Sequence, residues 1–193
     1  PEFVRLSDAE PILVDTISEH NFEPDFEDLE KKFSPNIKGV ILNSPSNPTG
    51  GIWGEEAIIK LLHIAKKNNW IVISDECYER LVYDGEFVST EKLNREHQIG
   101  ADVITCLSLS KTYAMTGWRI GYAAGPRDII NAMSKIQGQA TSCANSIGQK
   151  ATVPYRTSSL RLDGGRGDGA PSYRKMLIGP RGTRNLLNAP PAR

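Results

Sequence analysis

The feature that most constrains this chain is a strand–helix–strand pattern running from Lys38 to Ser74. Lys38–Asn43 (KGVILN) is a short, continuous apolar run of the kind found in strands buried on both faces. Ser44–Gly54 is rich in Pro and Gly and reads as a loop. Glu55–Lys67 then carries Ile58, Leu61, Leu62 and Ala65 at helical spacing. Its acids Glu55 and Glu56 fall in the first turn and Lys66 and Lys67 in the last, complementing the helix dipole at both ends. Trp70–Ser74 (WIVIS) is a second buried strand, so the unit predicts a parallel pair with a right-handed crossover. Val103–Leu107 (VITCL) adds a third interior strand, and Trp118–Ala124, stopped by Gly125-Pro126, a further one. A second helix is expected with Pro126 at its first position and Ile129, Ile130, Met133 and Ile136 on one side. No internal repeat is visible. The expected fold class is α/β, a three-layer sandwich with a mainly parallel sheet.

In open α/β sheets, ligands bind beyond the carboxyl ends of the strands. That rule selects Asn47-Pro48-Thr49-Gly50, Asp75-Glu76-Cys77-Tyr78 and Ser108-Leu109-Ser110-Lys111. Taken singly, these residues have ordinary uses as well. Lys111 is compatible with a solvated surface, Asp75 and Ser108 with turn caps, Tyr78 with a core, Asn47 with an Asn-Pro turn and a downstream Arg119 with a surface ion pair.

Three longer stretches separate these uses. SPSNPTG (44–50), SDECYERLVYDG (74–85) and SLSKTYAMTGWRIGYAAGP (108–126) resemble successive signatures of the class I aminotransferases, fold type I enzymes that use pyridoxal phosphate. They come in the family's order, 28 residues separating Asn47 from Asp75 and 36 separating Asp75 from Lys111. The wording is most similar to bacterial and archaeal aspartate aminotransferases. The resemblance covers residues 1–153 and implies part of the family's large domain. It implies Lys111 as the Schiff-base lysine and proton shuttle, and an ordinary lysine, of pKa about 10.4, needs desolvation to act as a base near neutrality. Asp75 is the implied partner of the pyridine nitrogen, keeping it charged so that the ring draws electrons. Tyr78 and Asn47 are implied donors to the phenolic oxygen. Arg119 is the implied phosphate clamp, a guanidinium being able to bind phosphate bidentately, with Ser108 and, less directly, Ser110 beside it. Gly117 and Gly121 are expected to permit close backbone approach, and Trp53, Trp70 and Trp118 to pack. The implied reaction moves an amino group between an amino acid, aspartate-like first, and a 2-oxo acid; another fold type I reaction such as β-elimination is the enzymatic alternative.

Composition limits the partners. Net charge is zero, which gives no reason to expect nucleic acid or an anionic membrane. No apolar run approaches the roughly 18 residues of a membrane span, and no signal-peptide pattern opens the chain. Cys77, Cys106 and Cys143 form no CxxC, and His20, His63 and His97 lack metal-ligand spacing, so a metal site is not expected and a reducing, cytoplasmic setting is. The zero balance hides a split: residues 1–153 hold 15 basic and 21 acidic side chains, and residues 154–193 hold 8 and 2. The second segment also holds 11 Gly and Pro in 40 residues, so it is expected to stay out of the sheet as a disordered or frame-shifted tail. The family's phosphate loop, ring-stacking aromatic and substrate-binding arginine have no match here. The chain is therefore expected to be a fragment of a homodimeric enzyme, and a catalytically incompetent truncated product is the non-enzymatic alternative.

Overall fold

The structure, a computed structural model, describes the backbone of residues 1–158 and 173–178 and the side chains of residues 1–152. A short helix α1 (Glu2–Arg5) precedes a two-stranded antiparallel ribbon, β1 (Thr16–Ile17) with β2 (Glu23–Pro24). Helix α2 (Phe26–Lys31) is capped by Asp25, whose side chain accepts from the Glu27 and Asp28 amides at 2.9 and 3.2 Å. Then come β3 (Gly39–Asn43), α3 (Glu55–Lys67), β4 (Ile71–Asp75), α4 (Thr90–Glu96), β5 (Asp102–Ser108) and α5 (Leu109–Thr112). The described chain continues with β6 (Gly121–Pro126), α6 (Arg127–Ala140), α7 (Ser146–Ser158) and β7 (Tyr173–Ile178).

The main sheet has the order β3-β4-β5-β6-β7. Strands β3, β4 and β5 pair in parallel, Asn43 opposite Asp75 and Asp75 opposite Cys106. Strand β6 runs antiparallel to β5 and β7 antiparallel to β6, so β6 alone opposes the common direction and the sheet is mainly parallel. Each face has its own core. Leu42, Val72 and Val103 point to α3 and α4, where Ile58, Leu61, Leu62, Ala65 and Leu93 are buried. Ile71, Ile73, Ile104, Cys106 and Ala123 point the other way, against Ile129, Ile130 and Met133 of α6. These are the three layers expected, and α3 matches its predicted ends.

Helix α3 has no side-chain cap of its own. The Glu23 carboxylate, borne by β2, accepts from the Gly54 amide at 2.7 Å and so supplies a negative charge at the N-terminus of α3. Trp70 is buried at 3% exposure and Trp53 packs on the same core, whereas Trp118 is 44% exposed and does not pack as expected. Pro126 is the cap residue of α6 rather than its first helical residue. On α6 the inward face is Ile130, Met133 and Gln137, a spacing that turns Ile136 outward to 70% exposure. Strand β6 starts at Gly121 because residues 116–118 form a 3-10 turn and Arg119 is left-handed. A Cβ at Gly121 would lie 3.0 Å from the Leu107 carbonyl oxygen, which accounts for glycine there, while Gly117 faces open space.

The expectation that nothing after Pro154 joins the sheet is corrected: Tyr173–Ile178 pairs with the whole of β6, and α7 runs on to Ser158. An edge strand offers a row of unpaired amides and carbonyls, and the run YRKMLI within the Gly- and Pro-rich segment is able to extend along it. Residues 159–172 and 179–193, on which the rest of that expectation falls, lie outside the described residues. No helix among the described residues is long and apolar enough to cross a membrane.

Candidate active site

All seven expected site residues lie at the carboxyl ends of β3, β4 and β5 or at the start of β6. In the loop after β3, which contains cis peptides before Pro45 and Pro48, the Asn43 side chain accepts from the Asn47 amide at 2.9 Å. Its amide group also donates to the Asp75 carbonyl at 3.1 Å, tying this loop to the end of β4. Asn47 Nδ2 then donates to the Tyr78 hydroxyl at 3.1 Å, and Lys111 Nζ stands 5.4 Å from the Tyr78 ring centroid. Asn47, Tyr78 and Lys111 are thereby brought together, with Tyr78 half-buried and the other two exposed.

A second group surrounds a cavity of about 610 Å³ lined by Ser108, Ser110, Arg119, Tyr122, Gln137 and neighbours, within the usual range for small-molecule sites. Ser108 caps α5: its Oγ accepts from the Ser110 amide at 3.1 Å and donates to the Ile120 carbonyl at 3.4 Å. Arg119 adopts φ 53° and donates from Nη1 to the Thr116 carbonyl at 2.9 Å. A left-handed conformation costs a non-glycine residue about 1–2 kcal/mol, and Arg119, which adopts it, lines the cavity. The buried Gln137 Nε2 has no hydrogen-bond partner among the described residues.

Asp75 joins neither group by a hydrogen bond. Its Oδ1 accepts from the Cys77 amide at 3.2 Å, and the Cys77 thiol lies against the same carboxylate. Alternation along the strands puts Asp75 with Ile71 and Ile73 on the α6 face, as it does Ser108 with Ile104 and Cys106. Asp75 and the cavity are therefore on the same side of the sheet, one strand apart through Cys106. Burial pushes the Cys106 thiol up to about 11, helped by the charges of Asp75 and Glu76, and raises Cys77 and Tyr122 as well. These thiols are not activated nucleophiles.

Two residues escaped the sequence reading. Gln137 stood at an inward position of α6 under the wrong helical phase. Glu76 is 2% exposed, and burial, against hydrogen bonds from Ser74, Ser89 and the Thr90 amide, raises its carboxyl to about 7. The period of two through Val72, Ser74 and Glu76 was the available signal.

The arrangement fits an anionic, ring-bearing cofactor. Arg119, two serines and an amide donor with no partner among the described residues line the cavity, and Lys111, next in sequence to Ser110, meets Tyr78, which in turn bonds Asn47.

Comparison with known proteins agrees. Residues 1–159 match the family described as Aminotransferase class I and II. The aspartate/prephenate aminotransferase of Thermus thermophilus is 37% identical over 158 residues, 82% of this chain and 40% of that protein. A probable aspartate/prephenate aminotransferase of Rhizobium leguminosarum is 45% identical over 154 residues, 79% of this chain and 38% of that protein. The solved Thermus thermophilus aspartate aminotransferase with maleate superposes with a TM-score of 0.74 at 38% identity, over 81% of this chain and 40% of its own. The chain thus spans about 40% of the length of the relatives it matches. It belongs to the class I and II aminotransferases, a family dependent on pyridoxal phosphate.

Proposed function

We propose that this chain is the cofactor-binding part of an aminotransferase that moves an amino group between an aspartate-like amino acid and a 2-oxo acid. Two observations carry the reading: Asn47, Tyr78 and Lys111 meet, and the residues just before Lys111, Ser108 and Ser110, line a cavity together with Arg119. Pyridoxal phosphate, when bound, supplies an aldehyde for Lys111 and an electron-withdrawing ring. Arg119, Ser108 and Ser110 would hold the phosphate, and Gln137 lines the same cavity. Tyr78 and Asn47 would hydrogen-bond the phenolic oxygen and orient the ring, and Asp75 would keep a proton on the ring nitrogen. Lys111 would carry a proton to and from the substrate Cα. The names of the relatives support aspartate as the amino donor.

The short span relative to those proteins favours a second reading for this polypeptide alone, a chain that binds cofactor weakly and does not turn over. Orienting a substrate is worth several kcal/mol, on the order of the entropy it saves, and the residues that bind the substrate carboxylate are not recognisable here. Homodimerisation and a cytoplasmic setting belong to the proposed full-length enzyme, the latter fitting three free cysteines. The family match ends at residue 159, close to the composition break after 153, which supports a body of 1–153 followed by a tail of different origin, 154–193. Reading the nucleotide sequence there in all frames tests that origin, and a tail with no aminotransferase sequence in another frame refutes a frame change.

The test of function is a titration of the chain with pyridoxal phosphate. A visible absorbance band that is lost in Lys111→Ala is the expected result. A band unaffected by that substitution refutes Lys111, and transfer from aspartate to 2-oxoglutarate at ordinary enzyme rates refutes the reading that the chain alone is incompetent.

A further inference from the structure

Glu76 sits between two of the residues assigned to the cofactor, yet its side chain points away from them. It lies on the α3/α4 face, 2% exposed. Its Oε1 accepts from Ser74 Oγ at 2.9 Å and from the Thr90 amide at 3.0 Å. Ser74 Oγ is also 2.8 Å from Thr90 Oγ1, so the Thr90 hydroxyl donates to Ser74 as Ser74 donates to Glu76. Ser89 adds a further hydrogen bond. The Glu76 amide donates to the Cys106 carbonyl at 2.9 Å, and its own carbonyl accepts from the Glu79 amide at 3.0 Å. One residue thus links the end of β4 to β5, to the first turn of α4 and to the turn that carries Tyr78.

A carboxyl is a costly way to fill space against an apolar core, and an aliphatic side chain would fill it without that cost. What the carboxyl adds is direction. Adjacent residues of an extended strand point to opposite faces, so fixing Glu76 on the α4 side fixes Asp75 on the α6 side. The turn from Glu76 to Glu79 starts from the same fixed point and sets where the Tyr78 ring lies under Asn47 and Lys111.

We infer that Glu76 is a positioning residue of the site, its buried carboxyl pinning the end of β4 to α4 so that Asp75 and Tyr78 are presented from one rigid turn. The inference rests on the proposed function in that the ligand is pyridoxal phosphate. Its test has a ligand-free arm, amide hydrogen exchange at Cys77, Tyr78 and Glu79, and a binding arm, the dissociation constant for pyridoxal phosphate by absorbance titration. Glu76→Gln keeps the acceptor for Ser74 and Thr90, leaves binding within about twofold of wild type and makes exchange at those amides no faster than in wild type. Glu76→Leu, of similar volume and no acceptor, speeds exchange at those amides and weakens binding by about tenfold each, the order expected when one buried hydrogen-bonded anchor is lost. A core variant, Leu62→Ala, loses stability without moving either readout. If Glu76→Leu does not fold, Ser74→Ala, which removes one leg of the network, shows the same localised change at a smaller size. Glu76→Leu indistinguishable from wild type, Glu76→Gln as damaging as Glu76→Leu, or the same local change in Leu62→Ala overturns the inference. A wild-type chain that takes up no pyridoxal phosphate refutes the proposed function, and the exchange arm then decides the inference by itself.

Discussion

Replacing Glu76 by glutamine changes how the stability of this chain depends on pH. Burial is the largest influence on the Glu76 carboxyl and favours its protonated form, the charge of Glu79 pushes the same way, and hydrogen bonds from Ser74, Ser89 and the Thr90 amide only partly oppose them. Cys106 and Tyr122 also feel the Glu76 charge, but both stay neutral across the range considered because burial raises them. In the folded chain the carboxyl titrates near 7, above the ordinary 4.5. Its favourable contribution is therefore complete below about 4.5 and is lost as pH rises through about 7. At about 1.4 kcal/mol per pH unit, the gap between 4.5 and about 7 amounts to about 3 kcal/mol. Glutamine has the shape and hydrogen-bonding capacity of the protonated acid and does not titrate. Glu76→Gln should match wild type at about pH 4 and exceed it by about 3 kcal/mol at about pH 8.5. Urea unfolding of both proteins at several pH values measures the difference, from which the other titrating groups cancel. Two curves that stay parallel from about pH 5 to about pH 8.5 refute the reasoning, and so does a variant that loses stability at the alkaline end.

Leu62 is fully buried between α3 and the sheet, and Leu62→Ala should cost about 2–5 kcal/mol in a denaturant titration. Tyr78→Phe removes the acceptor for Asn47 Nδ2 and should weaken pyridoxal phosphate binding about tenfold, read by absorbance titration, while leaving stability nearly unchanged. Ending the chain after Ser158 strips β7 from β6; the β6 amides that face β7 should then exchange far faster, and light scattering should show increased self-association through the bared edge.

The elements that sequence made legible are those whose burial is apolar. The run KGVILN, the helix Glu55–Lys67 and the runs WIVIS and VITCL each announce themselves by hydrophobic spacing, and the structure places them within a residue or so of their expected ends. Helix α4 was not foreseen because what it buries includes Thr90, Glu91 and Asn94, polar groups satisfied internally: Asn94 bonds the Ala101 amide and carbonyl, both at 3.0 Å. Hydrophobic periodicity cannot register such burial. The same blindness hid Glu76, and the misplaced phase of α6 came from preferring Ile136 to Gln137 where the inward position is polar. Strand β7 was masked by the glycines and prolines around it. The candidate site was legible for a different reason. Its residues follow strand ends, and their wording resembles a family; which of them touch was left to the fold, and there Asn47, Tyr78 and Lys111 meet while Asp75 stands one strand from the cavity.

The reversal of β6 has a consequence for how the site keeps its dimensions. Ser108 ends β5 and lies opposite Gly121, the first residue of β6, and the Leu109 amide closes the loop between them on the Ile120 carbonyl at 3.1 Å. Lys111 and Arg119 therefore hang from a single rim, held at the two shoulders of one hairpin. The separation between their backbone positions is set by that hairpin and not by how far α3, α4 or α6 have settled on the sheet. Helices can slide with each change of core residue while those two points on the rim keep their spacing. A lineage built this way is free to repack its layers without moving the backbone positions of Lys111 and Arg119 relative to each other.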